Sequence, residues 1–155
     1  MADAPSAPHE FTIIRVFDAP RELVFRAWTD PEQLTRWFGP RGLSTPRSTI
    51  DVDLRPGGQW RATMVVDADG TEYPTGGVYR EVVEPERLVF TWVEPGAADP
   101  HRIALISISL ADLGGKTEMT FHQAGPADAD SEVRAGMHDG WSQALDKLAE
   151  SLVSH

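Results

Sequence analysis

The aromatic and sulfur-bearing side chains of this sequence are its leading candidates for the lining of an apolar pocket. Trp37, Phe38, Trp60, Met64, Phe90, Trp92, Met119, Phe121, Met137 and Trp141 are the candidates. Parity supports them, because Leu88, Phe90 and Trp92 share one face of an expected strand and Met119 shares another with Phe121. Small-molecule sites are concave and lined by such side chains, although any one of them could simply fill a core. Tyr79 would add a hydroxyl to the same interior. Its strand leaves two arrangements open: if Tyr79 points inward so does Glu81, and if it does not, Arg80 does. A charge turned inward needs a partner or shifts its pKa, which would make it an anchoring group. A cross-strand pair at the surface is the plainer explanation of either charge.

Other chemistries find little footing. The chain has no cysteine, which excludes disulfides, thiolate metal sites and a cysteine nucleophile. It also has no asparagine, and so no N-glycosylation site. His9, His101, His122, His138 and His155 show no metal-ligand spacing, and neither a metal nor another cofactor is expected. His122 has the opposite parity to Phe121 and is expected to face out. Asp67-Ala68-Asp69-Gly70 fails as a calcium loop, since its glycine comes at the fourth position and Val78 stands at the twelfth. The glycine pairs at 57–58, 76–77 and 114–115 are not followed by Lys-Ser/Thr, so they read as turns and bulges and not as phosphate loops. Gly140-Trp141-Ser142-Gln143-Ala144 lacks the second glycine of a nucleophile elbow.

The elements that must position the aromatics follow from pattern. Residues 1–9 read as a flexible tail and 10–155 as a single domain. Phe11–Phe17 is a β-rich first strand. Two short helices follow, one opened by Pro20 and one by Asp30-Pro31, the second stopped at Gly39-Pro40. Strands are expected at Ser48–Leu54, Gln59–Val66, Gly76–Val83, Arg87–Val93, Arg102–Leu110 and Thr117–Gln123. Asp128, Asp130 and Glu132 then mark a helix start, and Val133, Met137, Trp141, Leu145, Leu148 and Leu152 recur at three- and four-residue steps over Ser131–Val153. The fold class is α+β: a curved antiparallel sheet of six or seven strands, covered by one long and two short helices. The long helix carries Gly136 and Gly140 in its first half and leucines in its second, so it is expected to leave a gap over the aromatic face at its first half.

Charge narrows the partners. With 14 basic and 24 acidic residues, the 155-residue chain carries a formal charge of −10, the wrong sign for nucleic acid. No membrane partner is expected either: the longest uncharged apolar run, Ile103–Ala111, is too short to span a bilayer. The first ten residues lack the basic and apolar regions of a signal peptide, which predicts a cytoplasmic protein. Arginine outnumbers lysine 12 to 2, as in proteins from GC-rich bacterial genomes.

Several pieces together resemble the START-like (Bet v 1-like, SRPBCC) superfamily, and within it the branch named after the activator of Hsp90 ATPase. They are Phe17-Asp18-Ala19-Pro20, Ala27-Trp28-Thr29-Asp30-Pro31 with Leu34, Trp37-Phe38-Gly39, and Arg55-Pro56-Gly57-Gly58-Gln59-Trp60. Gly77–Val82, Glu84–Trp92 and Gly140-Trp141 with Leu145 and Leu148 continue the match in order. The family usually has histidine near the end of the last strand, where this chain has Gln123. The resemblance implies a helix-grip fold with a cavity between the sheet and the last helix, and with it a small hydrophobic or aromatic ligand. Two alternatives follow from the same resemblance. One is a polyketide cyclase or aromatase-like enzyme using Glu81, Arg80 or Tyr79. The other is a co-chaperone of the Hsp90-activator type, although the eukaryotic activators carry an additional N-terminal domain and only about ten residues precede the first strand here. No catalytic motif is recognisable, and the sequence leans away from an enzyme. A homodimer through exposed sheet or loop surface is a further partner hypothesis.

Overall fold

A computed structural model describes residues 10–93, 103–125 and 131–153. The tail, His9, His101, His155, Asp128 and Asp130 lie outside them, as do the side chain of Val133 and most of the connector after the fifth expected strand. Strand β1 (Glu10–Phe17) is followed by helices α1 (Arg21–Thr29) and α2 (Pro31–Trp37). Strands β2 (Leu43–Ser44), β3 (Asp51–Val52), β4 (Gln59–Val66), β5 (Glu72–Val83), β6 (Arg87–Trp92), β7 (Ala104–Asp112) and β8 (Thr117–Ala124) come next, then α3 (Ser131–Val153). They form one antiparallel sheet in the order β1-β8-β7-β6-β5-β4-β2, with β3 also pairing to β4. The sheet has eight strands because the short β2 joins the seven that pattern marks, one of which shrinks to β3.

Local chemistry accounts for the boundaries. The Asp30 carboxylate accepts a hydrogen bond from the Glu32 N–H at 2.9 Å, and Pro31 opens α2 where no N–H is needed. The stretch expected as a strand over Ser48–Leu54 holds only the two residues of β3, preceded by a 3-10 turn at Arg47–Thr49. There the Thr49 hydroxyl donates to the Pro46 carbonyl at 2.8 Å and accepts from the Thr63 N–H at 3.1 Å. Side-chain bonds of this kind compete with the strand ladder. Strand β5 starts four residues before its expected beginning and runs through Pro74. Residues 72–75 pair with β4 alone, so the nitrogen of Pro74 is not required to donate to a second neighbour.

One face of the sheet carries the core. Phe11, Ile13, Phe17, Leu88, Phe90, Ile106, Ile108, Met119 and Phe121 are buried on it, while Ile14 and Val16 alternate outward. From the helices it receives Val24, Phe25, Ala27, Trp28, Leu34 and Trp37, together with Ala144, Leu145, Leu148 and Leu152 of α3. The second half of α3 is also fastened at its rim. Arg15 meets Asp146 at 2.7 Å, Arg41 meets Glu150 at 2.6 Å, and the Lys147 ammonium donates to the Gly39 carbonyl at 3.0 Å. Burial, reinforced by nearby Arg41, holds the Lys147 pKa below its ordinary value.

Candidate functional site

Each tryptophan reaches the interior from a different element. Trp28 stands on α1 four residues after Val24, so it shares that helix's inward face. Trp37 closes α2, and Phe38 follows it as the helix ends. Trp60 and Trp92 come from β4 and β6, and Trp141 from α3. All five tryptophans of the chain belong to one network of rings. Trp28 lies 4.6 Å from Trp37, 5.9 Å from Trp141 and 6.2 Å from Phe121 between ring centroids. Trp141 in turn lies 4.7 Å from Phe121 and 5.4 Å from Trp92. Phe38 bridges Trp92 at 5.5 Å and Trp60 at 6.1 Å, and Phe90 touches Trp60 at 5.6 Å. Seven of the expected residues are thus in mutual ring contact, and Tyr79 joins them through Phe90 at 6.2 Å. Met119 is fully buried beside them. The remaining two sit at the margins: Met64 lies against Gly39, and Met137 against Gln123.

Trp28 is the residue that pattern reasoning left out. Its place on the inward face of α1 was readable, but only the packing of α1 over β7, which brings the ring to Phe90 of β6 and Phe121 of β8, puts it at the centre of the network. Its polar handle is singular. The Trp37 indole N–H donates to the Ala27 carbonyl at 2.9 Å and that of Trp60 to the Thr91 carbonyl at 3.1 Å. The Trp28 Nε1 is buried and has no hydrogen-bond partner, although such groups are normally paired.

Free space lies beside Trp28. A cavity of about 20 Å³ is walled by Trp28, Leu34, Phe38, Trp60, Tyr79 and Phe90, among others, and no residue of α3 lines it. It therefore sits on the α1–α2 side of the rings, one layer over from the gap expected beneath α3. Under the first half of α3, the Trp141 ring packs on Phe121, Trp92 and Phe38 instead. About one water-sized group fits a volume of 20 Å³.

Neither arrangement expected for the Tyr79 strand is the one found. Tyr79 is buried, yet Arg80 and Glu81 both face out, and Val82 turns back against the core. The cause is a β-bulge: Tyr79 pairs with Phe90 and Glu81 with Val89, leaving Arg80 as an extra residue in β5. Glu81 is spent on Arg87 at 3.0 Å across the outer surface. The charges of Arg80 and Glu81 are thus withheld from this part of the interior, so that of the three groups proposed for acid–base work only Tyr79 reaches it. The Tyr79 phenol is pushed above its ordinary pKa, mainly by burial and further by the negative charge of Asp53, so it stays a neutral O–H.

The sequence profile described as "Activator of Hsp90 ATPase homolog 1-like protein" matches residues 18–152. The chain belongs to this family. Crystal structures of members of the same fold agree. Protein CV1439 from Chromobacterium violaceum is 30% identical, with a TM-score of 0.84 over 96% of this chain and 100% of that one. Protein NE0264 from Nitrosomonas europaea is also 30% identical, with a TM-score of 0.80 over 96% of each chain. The protein titled AHSA1 from Silicibacter pomeroyi is 26% identical, with a TM-score of 0.79 over 92% of this chain and 96% of that one. No curated protein sequence matches.

This Hsp90-activator-homologue family has the helix-grip fold, which commonly binds hydrophobic ligands. At the point where the family resemblance calls for histidine, Gln123 is buried, and its Nε2 donates to the Gly125 carbonyl at 3.1 Å and to the Met137 sulfur at 3.2 Å. The side chain at that position ties β8 to the first half of α3. His122, by contrast, faces out and meets Glu10 at 3.2 Å. Among the described residues no cluster of three or more His, Asp or Glu is placed to hold a metal, and no helix is long and apolar enough to cross a membrane.

Proposed function

We propose that this protein binds a small hydrophobic or aromatic molecule in the interior between the sheet and the helices. The supporting observation is the ring network itself, which gathers the other four tryptophans around Trp141 of α3, a helix whose first half is, among its described side chains, less deeply buried than its second. Met137, Gly140 and Trp141 are only half-buried, whereas Leu145 and Leu148 are completely so. An added Cβ at Gly136 would meet nothing within 4 Å, and one at Gly140 only the Pro40 ring at 3.9 Å. A guest enters by lifting this half and inserting beneath the Trp141 and Trp92 rings, which then cover its apolar surface. Burial of that surface supplies about 25 cal/mol per Å² before the costs of ordering.

Trp141→Ala separates binding from folding because Trp141 is half-buried. Titration with 2-acetylnaphthalene, followed by tryptophan fluorescence, is expected to give an affinity about tenfold weaker in the variant, while a cooperative urea transition shows that it still folds. Equal affinity in both proteins would overturn the reading.

A further inference from the structure

The ring network has one unused polar group, the Trp28 N–H, and the geometry points to a ligand class from it. The ligand is an apolar or aromatic molecule carrying an acceptor oxygen, such as a ketone or ether, and Trp28 Nε1–H is the donor that receives that oxygen. This rests on the ligand-binding reading and adds to it the polarity of the guest.

Three observations converge. The Trp28 Nε1 is buried without a partner, and the other two buried indoles show that this interior normally satisfies such groups. Trp28 lines a cavity whose volume of about 20 Å³ suits one oxygen-sized group and no larger part of a ligand. The same indole stacks on Trp141 at 5.9 Å with planes 26° apart, so a hydrocarbon body inserted against the Trp141 ring lies beside Trp28.

The lining also selects by sign. Its buried side-chain polar groups are the indoles of Trp28 and Trp60 and the Tyr79 phenol, and the Trp60 N–H is already committed to Thr91. Burial and the Asp53 charge keep the phenol protonated, so it too offers an O–H. Both groups left for a guest can donate, and the β5 bulge turns Glu81, the nearest carboxylate on that strand, to the outer face. A ligand presenting only donors would leave Trp28 unsatisfied and lose its own hydration. One presenting an acceptor recovers both.

The test uses two probes of nearly equal shape, 2-acetylnaphthalene and 2-isopropenylnaphthalene, in which a carbonyl oxygen is exchanged for a methylene. The intact protein is expected to bind the ketone about tenfold more tightly than the alkene. In Trp28→Phe that preference falls to about twofold or less, whatever the change in absolute affinity for either probe. The ketone alone should shift one indole N–H resonance downfield, and the missing signal in Trp28→Phe identifies it as Trp28. Equal affinity of the intact protein for the two probes would overturn the donor assignment while leaving ligand binding in place. Binding of neither probe would overturn both. Should Trp28→Phe not fold, the probe pair and the indole spectrum of the intact protein decide the matter, with no downfield shift on ketone binding counting against Trp28.

Discussion

The two halves of α3 share one backbone and differ in what holds them. From Ala144 onward the helix buries Leu145, Leu148 and Leu152 and is tied at its flanks by Asp146, Lys147 and Glu150. Among its described side chains before Ala144 it offers two glycines, a methionine and a half-buried tryptophan, and its cross-links are softer contacts: Gln123 to Met137, Phe11 against the His138 ring at 5.5 Å, the Gln143 carboxamide accepting from the Arg41 N–H at 3.1 Å, and the Ser142 carbonyl accepting from Arg15 at 3.3 Å. The difference shows how one helix can both close a fold and admit a guest. Aliphatic side chains interlock and resist separation, while large flat rings over glycines can part to admit another flat molecule.

Leu148→Ala tests the firm half and has the largest expected effect. Removing a fully buried leucine side chain costs about 3 kcal/mol, measurable by urea unfolding; a loss below about 1 kcal/mol would mean the second half is not the anchor. Gly136→Ala tests the soft half and should run the other way. With open space around the new methyl group, relief of glycine's backbone freedom stabilises by up to about 1 kcal/mol. Hydrogen exchange sharpens the contrast, since amides before Gly140 should exchange faster than those after Ala144. Uniform protection along α3 would erase it.

The smallest effect appears only in alkali and concerns the sheet below. Tyr79 has a raised pKa in the folded protein against an ordinary value of 10.0. Above pH 10 the unfolded chain therefore gives up this proton before the folded one does, and stability falls as pH rises. Tyr79→Phe should remove that slope without altering stability at neutral pH. Tyrosinate absorbance in a Tyr73→Phe background should show the remaining phenol titrating above 10.

The fold was legible because its strands and helices are written in periodicity. Phe11/Ile13 and Met119/Phe121 declare their face two residues apart, and Leu145/Leu148/Leu152 theirs at helical steps. Most of the rings were legible for the same reason, Trp28 excepted. Three things were not. The turn at Arg47–Thr49 depends on the hydroxyl of Thr49 meeting Thr63, fourteen residues away. The Tyr79 bulge is a property of the β5–β6 register, which neither strand carries alone. The cavity beside Trp28 is a small remainder after large side chains are packed, and residue volumes do not disclose where it falls.

The bulge gives β5 one spare residue. Two side chains, Arg80 and Glu81, occupy the outward place between Tyr79 and Val82 that a regular ladder gives to one. A codon lost at position 80 would shorten the strand without turning Tyr79 or Val82 over. One lost at position 78 would set the residues before it out of step with those after. Tolerance to deletion along this strand is therefore concentrated at a single point, the very one that keeps both charges in water.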